Sequence, residues 1–260
     1  MALAGQVPVM DLGVTVGDSI DRLERTGVDF DFVEVSVGEA QPLPTDAAAP
    51  RLRSALAATE SDLCMHLPFQ QVVATPVEQL NDAIVEYLED LLSWGGTVGA
   101  RKAVLHATAR NPYDTDLRPT IAEQLRRIAA VGEEHGVEVV VENVGHQKQG
   151  VQLSVLADLA REAEVPICFD VGHAYMEEGD DGIDRFCSRN ADRISHLHVH
   201  DARSRGDTHI PIGAGEVDWS LLEEHLDDFD GTVAVEVFTD DLSLLRDSAE
   251  RVTDLFGQTS

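Results

Sequence analysis

Residues 196–219 read HLHVHDARSRGDTHIPIGAGEVDW. An alternating apolar run closes on His196, His198, His200 and Asp201. A short charged loop then carries Asp207 and His209, and Pro211, Gly213 and Gly215 lead to a helix start at Asp218-Trp219. Packing alone does not call for so many imidazoles and carboxylates, because polar groups are costly to bury without partners. The stretch reads as one strand, one loop and the start of one helix, with ligand-type side chains gathered where the strand ends.

Working outward, the same unit recurs along the chain. Strands are expected at Val7–Val16, Phe30–Val37, Leu63–Leu67, Lys102–His106, Val137–Val144, Pro166–Val171, Ile194–His200 and Thr232–Phe238. Between and after them, helical periodicity is expected at Ser19–Thr26, Ala47–Thr59, Pro76–Ser93, Leu117–His135, Leu153–Glu164, Ile183–Asp192, Asp218–Phe229 and Leu242–Phe256. Gly95-Gly96 reads as the stop of the third helix. Most of the strands are short apolar runs, as buried parallel strands should be. Eight alternations in one chain predict an α/β fold of the (β/α)8 TIM-barrel type. No linker or low-complexity stretch divides the 260 residues, so a single domain over 1–260 is expected.

Composition sets further bounds. The formal charge is −29, from 19 Lys and Arg against 48 Asp and Glu. Only Lys102 and Lys148 are lysines, and the acids are spread along the whole chain. Such a surface is the kind a halophile uses to stay soluble in strong salt. It argues against membranes and weakly against nucleic acid, since phosphate backbones select basic surfaces. Three widely spaced cysteines, Cys64, Cys168 and Cys187, form neither a disulfide framework nor a CxxC knuckle. The N-terminus lacks a signal-peptide pattern, and no apolar run approaches the roughly 18–20 residues of a membrane span. A cytoplasmic protein is the expectation, and a homo-oligomer packed through outer helices is compatible with it.

In a TIM barrel, reactive residues sit at the C-terminal ends of the strands. Here those ends carry His66, His106, Glu142, Asp170, His198 and Glu236. Alternation places Cys64 on the face of His66, Cys168 on that of Asp170, and His196 and His200 on that of His198. One histidine at a strand end is more often a satisfied core residue than a ligand. Six ligand-type residues in register at six strand ends favour a metal. A mixed His/Asp/Glu set suits Zn, Mn or Co, and a cation would relieve the repulsion of clustered carboxylates. His173 lies just past Asp170, and Asp207 and His209 form a D-x-H pair in the loop. His200 and Asp201 are expected beside the site or at its rim. Glu34 is as readily a buried structural carboxylate as a ligand. His135, His146 and His225 read as surface residues, and Glu138 lies at the far end of its strand.

VENV at 141–144, CFDVGHA at 168–174, HVHD at 198–201, IGAGEVDW at 212–219 and AVEVF at 234–238, in this order and spacing, resemble the xylose isomerase-like TIM barrel superfamily. The superfamily includes sugar and sugar-phosphate isomerases and epimerases, and the endonuclease IV branch of abasic-site endonucleases. The resemblance implies one divalent ion held by Glu142, Asp170, His198 and Glu236, with the two glutamates as an acid/base pair. The endonuclease IV pattern adds His66, His106, His173, Asp207 and His209 and implies three zinc ions. All nine positions are filled. The stretches LPF after His66, ATARN after His106 and VGHQKQG after Asn143 depart from endonuclease IV.

The expected function is therefore a divalent-metal isomerase or epimerase of a small sugar or sugar phosphate, with one to three ions. Glu142 and Glu236 would move protons at carbon through a metal-stabilised enediolate. His173 would position a substrate hydroxyl, Arg203 or Arg205 would reach a substrate oxygen, and Gly213 and Gly215 would let backbone approach the ligand. The alternatives are a zinc-dependent phosphodiesterase acting on abasic nucleic acid and a metal-binding barrel without activity.

Overall fold

A computed structural model of the chain describes residues 10–17, 29–38, 48–145, 148–204 and 206–257. The eight strands are β1 Asp11–Gly17, β2 Phe32–Ser36, β3 Asp62–His66, β4 Ala100–His106, β5 Glu138–Glu142, β6 Ile167–Asp170, β7 Ile194–Val199 and β8 Thr232–Val235, and a helix follows each from β2 onward. They pair in sequence order, all parallel, and β8 returns to β1 to close a barrel. The helices described are α1 Ala48–Thr59, α2 Glu78–Val98, α3 Arg118–Glu134, α4 Leu153–Ala163, α5 Val171–Asn190, α6 Ser220–His225 and α7 Leu242–Gly257. The structure is a TIM barrel.

The two faces of each strand have different tasks. Odd-numbered apolar residues such as Leu63, Met65, Leu105, Val139, Phe169, Leu197 and Val233 join the core between sheet and helices. Each large aliphatic side chain fully buried there contributes about 1.5–3 kcal/mol. Even-numbered residues form separate clusters inside the barrel: Phe32 with Cys64 and Ala234, and Val104 with Val140 and Cys168. Phe32 is given room by Gly13, where a Cβ would lie 2.4 Å from its ring. Alternation then carries Glu34, His66, His106, Glu142, Asp170, His196 and His198 along that inner face. At the other end of the axis Lys102 Nζ meets Glu138 at 2.5 Å and the Ser195 carbonyl at 3.0 Å.

Several boundaries differ from those expected. The start of the first strand (residues 7–9) and the helix at 19–26 lie outside the described residues. Gly95-Gly96 does not end the third expected helix; α2 runs on to Val98. Both glycines are there for contact: a Cβ on Gly95 would meet Met65 at 2.6 Å, and one on Gly96 the His135 carbonyl at 2.4 Å. The stop is Gly99, at φ 90°, whose N–H reaches the Gly95 and Gly96 carbonyls. The helix expected from Ile183 begins instead at Val171, directly on β6, with Asp170 accepting from the His173 N–H at 2.6 Å. Gly172, Gly179 and Gly182 obscure its periodicity, and the helix is broken at Gly179 (φ 66°, ψ −167°). The helix expected at 218–229 is confined to Ser220–His225.

Candidate metal centre

Because all strands are parallel, their C-terminal ends open at one mouth, and the inner-face polar residues meet there. Six imidazoles surround four carboxylates: His66, His106, His173, His198, His200 and His209 around Glu142, Asp170, Asp207 and Glu236. All except Asp207 are buried.

The backbone fixes which nitrogen each ring turns inward. A carbonyl oxygen only accepts, so the imidazole nitrogen facing it carries the hydrogen. Nδ1 of His66 donates to the Leu67 carbonyl at 2.7 Å, and that of His106 to Phe69 at 3.2 Å. His173 gives Nδ1–H to Asn143 at 3.1 Å, His200 to Asp201 at 3.2 Å, and His209 to Glu236 at 3.2 Å. His198 is reversed: its Nε2 donates to Glu34 at 3.2 Å, leaving Nδ1 inward. In the neutral ring every inward nitrogen is then a lone pair, and each faces a carboxylate. His66 and His106 Nε2 lie 3.2 and 3.0 Å from Glu142 Oε2. His200 Nε2 lies 3.2 Å from Asp170 Oδ1, and His209 Nε2 2.9 Å from Asp207 Oδ1. His198 Nδ1 lies 3.5 Å from Glu142, 3.9 Å from Asp170 and 3.3 Å from Glu236.

Acceptor facing acceptor is unfavourable unless a cation stands between them. Asp170 Oδ2, His173 Nε2, His198 Nδ1, His200 Nε2, Asp207 Oδ1 and Glu236 Oε2 are all buried and make no hydrogen bond. Each such atom costs about 1–3 kcal/mol, so the six together rival the about 5–15 kcal/mol by which a domain is stable. Divalent cations resolve that cost, and nitrogen and oxygen donors suit zinc or manganese. The donor set therefore fits a metal. Protons serve where no ion is bound. Burial opposes charge on His173 and His198, but the surrounding carboxylates outweigh it and hold both imidazoles well above their usual range. Burial likewise raises the carboxyls, yet His106 and His198 hold Glu142 well below its ordinary value, and His173 and His200 hold Asp170 at about 2.

The ligand atoms fall into adjoining groups whose members lie within 4.8 Å of one another. His66, His106 and Glu142 form one. Glu142, Asp170 and His198 form the next, with Asp170, His200 and Glu236 beside it. His173, His200, Asp207 and His209 form the outermost. Glu142 and Asp170 are shared, so neighbouring positions would be bridged. Cys168 lies near His196 and His198, but burial pushes its thiol far above its usual range and Glu34 takes Nε2 of both imidazoles.

All nine residues expected as ligands converge here. Arg203 and Gly213 do not join them. Arg203 donates to the Ala214 carbonyl at 2.8 Å, and Gly213 N–H to Asp201 Oδ2 at 2.8 Å. Asp201 explains both: its buried carboxylate also accepts from Ala202, Val217 and the Trp219 indole. A Cβ on Gly215 would lie 2.1 Å from that carboxylate. The Gly-Ala-Gly loop thus wraps Asp201. Arg205 and His146 lie outside the described residues. His200, expected beside the site, is fully buried within it; the even-residue spacing 196, 198, 200 carried that signal. Glu34 is resolved as a buried partner of His196, His198 and Thr15. Lys148, which sequence reading passed over, ion-pairs with Asp207.

A TIM barrel with this ring of ligand-type residues at its mouth defines a class, and comparison identifies the family. The model of the xylose isomerase-like TIM barrel family matches residues 20–255, and the chain belongs to that family. The uncharacterized protein MJ1614 of Methanocaldococcus jannaschii is 23% identical over 199 residues, 72% of this chain and 76% of that protein. Among solved structures, a D-tagatose 3-epimerase-like protein superposes with a TM-score of 0.78 at 19% identity, covering 95% of this chain and 97% of the other. The TTHB071 protein from Thermus thermophilus, soaked with ZnCl2, superposes with a TM-score of 0.74 at 24% identity, covering 96% and 100%.

Proposed function

We propose that this chain is a divalent-metal enzyme that isomerises or epimerises a small sugar or sugar phosphate. The observation that carries the reaction is the placement of Glu142 and Glu236. One ends β5 and the other lies one residue past β8, across the barrel, yet both reach His198 Nδ1, at 3.5 and 3.3 Å. Two carboxylates that approach one point from opposite walls can serve both faces of a carbon held between them. An ion held by Glu142, Asp170, His198 and Glu236 would polarise adjacent substrate oxygens and acidify the hydrogen on the carbon between them. Glu142 and Glu236 take the proton from one face and return it to the other. His173, with Nδ1–H committed to Asn143, leaves Nε2 available, and with Asp207 and His209 it would hold a further ion. Phe69 and Phe238, half exposed and set against His106 and His209, provide apolar walls at the mouth. The superposition on a D-tagatose 3-epimerase-like protein agrees with this chemistry.

A second reading is favoured by one feature. The ligands form adjoining groups that share carboxylates, as a hydrolytic zinc cluster acting on a phosphodiester requires. Glu142 would then be a shared ligand and not a proton carrier. Metal analysis of the purified protein, combined with two assays, separates the readings. The expected result is bound metal and deuterium entering a ketose or aldose from D2O at the carbon beside the carbonyl. About three zinc per chain, nicking of an abasic duplex and no deuterium exchange would overturn the first reading in favour of the second.

A further inference from the structure

The two lysines of this chain stand at opposite ends of the barrel axis, and only one is fully used. Lys102 is held by Glu138 and by both the carbonyl and hydroxyl of Ser195. Lys148 lies in the loop after β5, its side chain 44% exposed, and its ammonium touches the Asp207 carboxylate. It lines a recess at the mouth with Val144, Gly145, His173, Met176, Glu177 and Asp207. The two carboxylate oxygens of Asp207 are also those that face His209 and His173. Any ion taken by that outermost group therefore claims the carboxylate that Lys148 holds.

Charge then decides what Lys148 does. Glu34, Glu142, Asp170, Glu177, Asp207 and Glu236 supply six negative charges, and the facing imidazoles are neutral when they ligate. Divalent ions in three of the adjoining groups would balance those charges, and Lys148 would leave the rim positive. The rest of the surface, at a net −29 for the chain, repels anions. A cationic mouth on an anionic body draws an anion toward the site. A long, flexible ammonium beside metal ions is a familiar arrangement for a phosphate oxygen.

We propose that Lys148 is the anion-receiving group of this site and that the substrate carries a phosphate monoester, seated between Lys148 and the His173–Asp207–His209 group. The proposal rests on the metal-enzyme reading above. It selects the phosphorylated sugar over the neutral one and gives the mouth a direction: phosphate toward the loop after β5, reacting carbons toward Glu142 and Glu236.

The test uses full-length protein loaded with zinc, in wild-type, Lys148→Met and Lys148→Arg forms. Calorimetry measures binding of inorganic phosphate, glucitol 6-phosphate and glucitol, and metal per chain is counted in each sample. The expected result is a loss of about tenfold or more in affinity for both phosphates in Lys148→Met, recovery in Lys148→Arg, and unchanged metal content and glucitol binding. Phosphate affinity within twofold of wild type in Lys148→Met overturns the proposal. So does a loss of phosphate binding that tracks a loss of metal, because Lys148 would then support the ligand set and not the substrate. Lys148-dependent binding of an abasic duplex, with none of glucitol 6-phosphate, overturns the monoester in favour of a phosphodiester. The titration is repeated on metal-free protein. Lys148-dependent phosphate binding by protein that takes up no zinc would sink the metal reading while leaving the anion site standing.

Discussion

Two sets of buried carboxylates and imidazoles lie next to each other on the barrel axis, and they differ in how their hydrogen bonds close. In the set around Glu34, the carboxylate accepts from His196, His198 and the Thr15 hydroxyl, and His196 Nδ1 meets the Thr232 hydroxyl at 2.6 Å. None of the side-chain atoms of Glu34 or His196 is left without a partner. In the set around Glu142 and Asp170, every histidine is anchored from behind and turned to face an acceptor, and six polar atoms stay unpaired. The same residue types therefore do two jobs. A closed network fixes positions, and an open one is a candidate binding site. His198 belongs to both, since Nε2 is anchored by Glu34 and Nδ1 points into the cluster.

The largest effect that would test this contrast lies in the open set. Glu142 faces the inward nitrogens of His66 and His106 and approaches that of His198. Glu142→Gln removes the charge shared by two groups and puts an N–H where an acceptor stood. Zinc affinity, measured by chelator competition, is expected to fall by more than the about 10–100-fold typical of losing an outer partner. Wild-type stoichiometry and affinity in this variant would show that Glu142 is not a ligand.

Glu34→Gln is next in size and probes the residue that joins the sets. A carboxylate accepts from both imidazoles, whereas an amide has one accepting oxygen and a donating NH2. One of His196 and His198 must then offer a lone pair. If it is His198, its hydrogen moves to Nδ1 and blocks the cluster. Zinc affinity is expected to drop about 10–100-fold, with the nine ligand residues intact. A role confined to packing predicts something else: lower thermal stability in metal-free and zinc-loaded protein alike, with affinity unchanged.

Protonation gives a third, smaller test. The imidazoles of His173 and His198 are raised above the ordinary value. Their contribution to the metal-free fold is fully present below the unfolded value of about 6.5 and is lost as pH rises through the folded value. Asp170, held at about 2, contributes above the unfolded value of about 3.9 and loses that only as pH falls through its own lowered value. At neutral pH, zinc must displace protons from these imidazoles, so its affinity should rise with pH. Calorimetric zinc titration in buffers of different ionisation enthalpy should show release of about one proton or more per ion. A binding heat independent of buffer would place neutral imidazoles in the metal-free cluster.

Much of the open set was legible in sequence because strand alternation is rigid. Once eight apolar runs are recognised, parity alone puts His66, His106, Glu142, Asp170 and His198 on one inner face. What parity could not supply was the outer partner of each ring. Five of the six histidines are oriented by a backbone carbonyl, and a carbonyl has no letter in the sequence. The Gly-Ala-Gly loop was ambiguous for a related reason: its glycines mark a close approach, but not of what, and one such approach is to the Asp201 carboxylate. The start of α5 was hidden because three glycines break its apolar period while the Asp170 side chain caps it.

The smallest effect is confined to the closed set. Thr232 lies at the start of β8, and its hydroxyl meets His196 Nδ1. Thr232→Val keeps the branched shape and removes that oxygen, so one buried nitrogen loses its partner. A stability loss of about 1–3 kcal/mol is expected in denaturant unfolding of the metal-free protein. Zinc affinity should stay within about threefold, a difference below one hydrogen bond in energy, because Glu34 anchors His198 directly and needs no help from Thr232. A large affinity loss would mean that the ligand position of His198 is set through the whole chain Thr232–His196–Glu34. In that case the two sets would be one cooperative network, and the boundary between positioning and binding would fall at Thr232 rather than at Glu34.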